Sequence, residues 1–294
     1  MARSARSVAL IPAEPSPRVA RVFAAMVARK VRGAFHTVRL AHGSREVLTQ
    51  SDGGERSALV VLNHASWWDP ILALIVAREF FPSRAPYGPM DRDELARFSI
   101  LKKIGIFGID PDDAASLEAM RTYLVELAAR EPRIALILTP QGHFADVRDD
   151  VIPRPGAAAM AATLAPDRAV SIAIEYGFWV DQKPEIFVRA ASIDCASGGT
   201  LAWQRRITAA MRENQAALAT IVRARDAAAF EPLSRAFAAK TTGTNPMYDL
   251  WLRLTGRRAA AELGEAREAR VARVSEGSQV SSDRRENTGE RAHR

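Results

Sequence analysis

Three short apolar runs, Ala58–Leu62, Ile134–Leu138 and 170–176, separated by segments of helical length, constrain this 294-residue chain more than any other feature. Runs of this length, bounded by polar turns, read as strands buried on both faces. Their alternation with helices argues for an α/β fold: a mostly parallel, mixed sheet flanked by helices. The first run passes directly into Asn63-His64-Ala65-Ser66-Trp67-Trp68-Asp69, which delivers an imidazole and a carboxylate to the strand's C-terminal end. Open α/β sheets place their ligands at such ends.

Along the chain the pattern predicts a helix over about 18–35 and a first strand beginning within 37–40. A turn at 50–55 around Gly53-Gly54 leads to strand 58–62, helix 70–80 and a loop rich in proline (Pro82, Pro86, Pro89). Helix 93–103, strand 106–109, helix 113–130, strand 134–138, helix 156–164 and strands 170–176 and 185–193 follow. An alanine- and arginine-rich helix is expected over 200–230 and a short helical piece over 248–254. Residues 1–17, with Pro12, Pro15 and Pro17, read as a loose arm. The chain thus divides into a basic amphipathic region, 1–45, an α/β core, 46–198, a C-terminal helical extension, 199–255, and a charged tail, 256–294. The tail offers almost nothing to bury and is expected to be disordered.

The net charge of +7 is concentrated at one end. Residues 1–50 hold nine Arg or Lys against Glu14 and Glu46, and nine minus two equals the whole excess. Within that region Val19, Val22, Phe23, Met26, Val27, Val31 and Phe35 recur at helical spacing between basic residues. Such a helix suits an anionic membrane surface, or equally the core with its basic face solvated. A pI of about 10.0 also raises nucleic acid. No aromatic stacking platform or reader motif accompanies the charge, so no nucleic-acid partner is expected. One cysteine, Cys195, excludes an internal disulfide and a multi-cysteine zinc site, and suits a reducing compartment. No stretch reaches the roughly eighteen apolar residues of a spanning helix. Together these point to a peripheral or monotopic protein on the cytoplasmic face of a membrane.

The Asn63-His64 to Asp69 stretch resembles the His-x4-Asp motif of the glycerolipid acyltransferases, the lysophosphatidic acid acyltransferase family. Gly105-Ile106-Phe107-Gly108-Ile109-Asp110 is similar to that family's Gly-x-Ile-Phe-Ile-Asp-Arg block, and Thr139-Pro140-Gln141-Gly142-His143 to its Phe-Pro-Glu-Gly-Thr-Arg block. Pro155-Gly156-Ala157-Ala158 and Val170-Ser171-Ile172-Ala173-Ile174 stand where the family has a Lys-x-Gly-Ala helix start and a Val-Pro-Val-Ala-Ile strand. The blocks span about residues 55–195. The resemblance implies transfer of a fatty acyl group from acyl-CoA or acyl-ACP to a hydroxyl of a lysophospholipid or related membrane lipid, with no cofactor and no metal. Three departures stand out: Gln141 replaces the usual Glu, His143-Phe144 the usual Thr-Arg, and Pro111 the usual Arg. Arg92, Arg148 and Arg154 are the nearby cations that can replace the missing phosphate ligands. The acceptor is therefore open to glycolipids, amino-acid lipids and other hydroxylated lipids.

The residues themselves support this chemistry. An ordinary imidazole, with a pKa of about 6.5, accepts a hydroxyl proton at neutral pH and contributes about 10²- to 10⁴-fold as a base. His64 is the expected base and Asp69 the group that fixes its tautomer. Ser66 lacks a Gly-x-Ser-x-Gly elbow and Cys195 falls on a late strand, which favours direct transfer over an acyl-enzyme. Asn63, Gln141, Gly142, His143, Arg148 and Arg154 are the expected substrate-binding residues, Gly142 because a glycine turn lets backbone N–H groups approach an anion. Trp67 and Trp68 are open between packing and lining the acyl channel. A catalytically silent lipid-binding protein of the same fold is the alternative. A metal-dependent hydrolase using His64, Asp69 and His143 is a further one, although their spacing matches no zinc motif.

Overall fold

Strand β2 (Ala58–Leu62) is buried at all five positions because it runs through the middle of an eight-stranded sheet covered on both faces. The computed structural model describes residues 10–179 and 181–239. Its helices are α1 (Pro17–Ala34), α2 (Ser44–Asp52), α3 (Asp69–Phe80), α4 (Arg92–Arg97), α5 (Ala114–Arg130), α6 (Gly156–Leu164) and α7 (Thr200–Arg223). The other strands are β1 (Val38–Ala41), β3 (Ala85–Asp91), β4 (Ile106–Ile109), β5 (Ile134–Leu138), β6 (Arg168–Gly177), β7 (Glu185–Ser192) and β8 (Phe230–Pro232). The strand order is β4-β3-β5-β2-β6-β7-β1-β8. The first five are mutually parallel, β7 runs antiparallel to β6, β1 runs parallel to β7 and β8 antiparallel to β1. This is the mostly parallel mixed α/β sheet that the sequence predicts. Of the described residues, 10–177 and 184–239 form one compact unit; 178–179 and 181–183 fall outside it, and there Asp181 Oδ1 accepts from the Lys183 N–H at 2.8 Å.

Period-2 alternation divides the core into two layers. Val60, Leu62, Ile172 and Ile174 pack with Val27 and Val31 of α1, Leu48 of α2 and Leu72 and Val76 of α3. Leu59, Val61, Leu136 and Leu138 pack on the opposite face with Leu124 of α5, Ala158 of α6 and Trp203 and Ile207 of α7. Each fully buried Val or Leu contributes about 1.5–3 kcal/mol, which makes the central strands the rigid base of the domain.

The structure departs from the sequence reading at four places. The proline-rich segment expected as a loop contains β3, which pairs with β5 over Ala85, Pro86 and Tyr87 and with β4 over Gly88 to Asp91. Pro86 precedes the β4 pairing and Pro89 follows the β5 pairing, so each missing N–H can face a side without a partner strand. Helix α2 occupies part of the expected turn, its only apolar residues being Val47 and Leu48. The helix expected to reach 230 stops at Arg223, and after it β8 joins the sheet edge. The described part of the supposedly loose arm, from Leu10 on, lies along β4: Ile11 exchanges backbone hydrogen bonds with Gly108 at 3.0 and 2.8 Å, and Glu14 salt-bridges Lys102 and Lys103. A covered edge is protected from pairing with other chains. Strand β1 and half of α1 are likewise integral to the sheet and its core, although they fall within the region set apart as 1–45. The expected helical piece at 248–254 and the tail from 256 lie outside the described residues.

At the sheet end opposite His64, Arg84 holds the turns together from a side chain with 0% exposure. Its guanidinium donates to the carbonyls of Ser51 at 3.1 Å, Arg56 at 2.5 Å and Gly53, and stands 3.6 Å from Asp167. Burial pushes its pKa down while Asp167 opposes the shift. Arg84→Met removes the donor of three backbone carbonyls and the partner of Asp167, and we expect a loss of about 3 kcal/mol, or about 6–12 °C in Tm. Scanning calorimetry checks this, and an unchanged Tm contradicts it.

Candidate active site

His64 follows the C-terminal end of β2 and Asp69 opens α3, so the short connection between them carries both side chains to the same point. The sequence folds this way because the Ser66 carbonyl accepts from the Asp69 N–H at 3.1 Å, while Pro70, in the first turn, suits a helix start. His64 Nδ1 lies 3.0 Å from Asp69 Oδ2. A carboxylate only accepts, so Nδ1 carries the proton and Nε2 keeps its lone pair. Asp69 is 0% exposed and sits in the first turn of α3, where the helix dipole favours negative charge. Its Oδ2 also accepts from the Ser66 N–H at 2.7 Å, and its Oδ1 accepts from the Tyr176 hydroxyl at 2.5 Å.

The strands on both sides fix His64. On one side Asn63 is buried: its Nδ2 donates to the Ile174 carbonyl at 2.9 Å and its Oδ1 accepts from the Ile174 N–H at 2.8 Å. The amide extends the β2–β6 pairing past Leu62, so Asn63 positions the motif and its side chain is not free for substrate. On the other side Gln141 Oε1 accepts from the His64 N–H at 3.0 Å, and the His64 carbonyl accepts from Ala145 N–H at 2.8 Å. The loop after β5 thus grips the His64 backbone from both ends. Phe144, 61% exposed, sets its ring 4.4 Å from the imidazole.

The remaining expected binding residues are distributed around this point. Gly142 adopts φ +71° and its N–H donates to the Thr139 carbonyl at 3.0 Å, so the turn, not an anion, uses that donor. A side chain there would press within 3.0 Å of Arg154, which is why glycine is needed. Arg154 reaches Asp112 at 3.0 Å and its N–H donates to the Pro140 carbonyl at 2.8 Å, which ties the segments after β4 and β5 together. His143 is exposed, with Nδ1 2.9 Å from the Gln141 carbonyl, and Arg148 is paired with Asp146 at 2.6 Å. Among the described residues, no three His, Cys, Asp or Glu side chains are grouped to hold a metal ion. Burial raises the Cys195 thiol's pKa, which suits packing more than nucleophilic attack.

Tyr176 is the residue around Asp69 that the sequence does not reveal. It lies 107 positions from Asp69, and only the adjacency of β2 and β6 brings them together. Burial, then the charge and hydrogen bond of Asp69, push its pKa far up. Unfolded phenols ionise near 10.0 while native Tyr176 stays protonated, so this group's contribution to stability is present below about pH 10 and falls as pH rises above it. In Asp69→Asn the charge is gone, and Tyr176 is expected to ionise at lower pH than in the unsubstituted protein. Phenolate absorbance, with Tyr176→Phe as the reference that identifies the group, measures this; an unmoved titration contradicts the contact.

A cleft of about 780 Å³ opens beside this point, walled by 146–151, Glu175 and Tyr176, and α7, and it meets the motif at Ala65. No protein-family model and no curated protein sequence matches the chain. Among solved structures, it is similar to the crystal structure of the 1-acyl-sn-glycerophosphate (LPA) acyltransferase PlsC from Thermotoga maritima. The identity is 15% and the TM-score 0.46, over 71% of this chain and 80% of that one.

Proposed function

We propose that the protein is an O-acyltransferase of membrane lipid metabolism, moving a fatty acyl group from acyl-CoA or acyl-ACP to a lipid hydroxyl. The observation that carries this reading is the buried Asp69 carboxylate fixing Nδ1 of a partly exposed His64 at a strand end, which leaves Nε2 for a substrate proton. The motif blocks' resemblance to the glycerolipid acyltransferases supports the same reading. As the hydroxyl oxygen attacks the thioester carbon, Nε2 takes its proton and Asp69 stabilises the imidazolium. The tetrahedral intermediate then expels the thiolate, the C–S bond breaks, and the imidazolium returns the proton to sulfur. The acceptor is a lysophospholipid or related hydroxylated lipid.

Purified protein with a labelled acyl thioester and a panel of lysolipids is expected to yield acylated lipid. His64→Ala is expected to lower the rate by about 10²- to 10⁴-fold. Full activity in that variant contradicts the base, and bound lipid without turnover across the panel favours a silent lipid-binding protein.

We also propose that the protein works on an anionic bilayer surface, at the cytoplasmic face. No helix among the described residues is long and apolar enough to cross a membrane. Val27 and Val31 of α1 face the core, whereas Val22 and Met26 are 71% and 56% exposed. Lys30 Nζ stands 4.8 Å from the ring of Trp67, itself 59% exposed, so basic and apolar groups share one face beside the motif. Each basic residue near an anionic surface contributes about 1 kcal/mol. Because α1 packs on the sheet, point substitutions test this better than truncation. Val22→Glu with Met26→Glu is expected to lower flotation with anionic vesicles at least fivefold at unchanged Tm; undiminished flotation rejects the face.

A further inference from the structure

We infer that the cleft beside His64 receives a zwitterionic head group, an ammonium joined to a phosphate, on the acceptor lipid. The inference rests on the acyl-transfer reading only in calling that lipid an acceptor. The volume of about 780 Å³ falls within the roughly 300–1,000 Å³ typical of small-molecule sites. On α7, Arg212, Gln215, Ala216, Ala219 and Arg223 turn one stripe toward the cleft, and the two alanines leave room for a ligand. Gln215 is 8% exposed; its Nε2 donates to the Val147 carbonyl at 2.5 Å, which fixes the amide's orientation. Its Oε1 is buried with no donor among the described residues. A buried amide oxygen without a donor is costly, and a bound N–H relieves that cost.

Glu175, on β6 beside Tyr176, supplies the second acceptor. It is half-buried, and burial raises its carboxyl's pKa while Arg223 opposes the shift and nearby Asp146 adds to it. Among the described residues no hydrogen bond or salt bridge occupies its carboxylate. A carboxylate and an amide oxygen, both lacking donors, suit an ammonium group. Among the described residues, the hydrogen bonds of the Arg212 and Arg223 guanidinium groups run through Nε, to the carbonyls of Val151 at 3.1 Å and Ala219 at 3.2 Å. Their Nη donors remain for a phosphate. An acceptor bearing phosphate alone leaves Glu175 and Gln215 unmet and brings its charge near Glu175, Asp149 and Asp150, which line the same cleft.

Isothermal titration of the full chain, without acyl thioester, tests this with lysophosphatidylethanolamine and lysophosphatidic acid of equal chain length below their micelle concentrations. The first is expected to bind at least tenfold tighter. Glu175→Gln is expected to reduce that preference at least fivefold, and the exposed Arg223→Gln to weaken both lipids at least threefold, with circular dichroism verifying each fold. Equal or tighter binding of lysophosphatidic acid, an unaltered preference in Glu175→Gln, or unchanged binding in Arg223→Gln overturns the assignment. Binding is read without turnover, so a failure of acyl transfer and a failure of head-group recognition remain distinguishable.

Discussion

A fully buried carboxylate is the constraint around which this structure is organised. Asp69 cannot stay inside the protein without donors, because removing an ionised group from water is far more costly than one hydrogen bond repays. Three donors meet it: His64 Nδ1, the Ser66 N–H and the Tyr176 hydroxyl. Each comes from a different source of order, namely the end of β2, the turn into α3 and the end of β6. Asn63 locks β2 to β6 and Gln141 ties the base to the loop after β5, so three parallel strands converge on one imidazole.

Much of this was legible in the sequence. Apolar runs buried on both faces have no polar alternation to confuse their reading, so β2, β5 and β6 were found close to their true bounds. His64 and Asp69 were legible because the residues that bring them together lie between them. Strand β3 was hidden because two prolines normally end a strand, and only the staggered pairing with β5 and β4 tolerates them. Tyr176 was hidden for a different reason: no local pattern records a contact made by neighbouring strands. Gly142 does not hold an anion through its N–H, the role that the sequence suggests; its positive φ serves a turn and the close approach of Arg154.

The departures from the glycerolipid acyltransferase motif blocks acquire a physical sense in the folded chain. Gln141, in place of a glutamate, accepts a backbone N–H from His64, for which a neutral amide suffices. Phe144, in place of an arginine, lays an aromatic ring against the imidazole. Positive charge lies nearby on Arg154, beside the glycine turn, and on Arg212 and Arg223 along α7.

The central claim is that Asp69 holds the neutral imidazole of His64 with its proton on Nδ1, leaving Nε2 as the base. Nitrogen-15 NMR of histidine-labelled protein at alkaline pH, with His64 assigned by substitution, reads that tautomer directly. The account predicts a protonated Nδ1 and an unprotonated Nε2, the reverse of the tautomer that imidazole prefers in water. A His64 resonance pair showing the proton on Nε2 contradicts it.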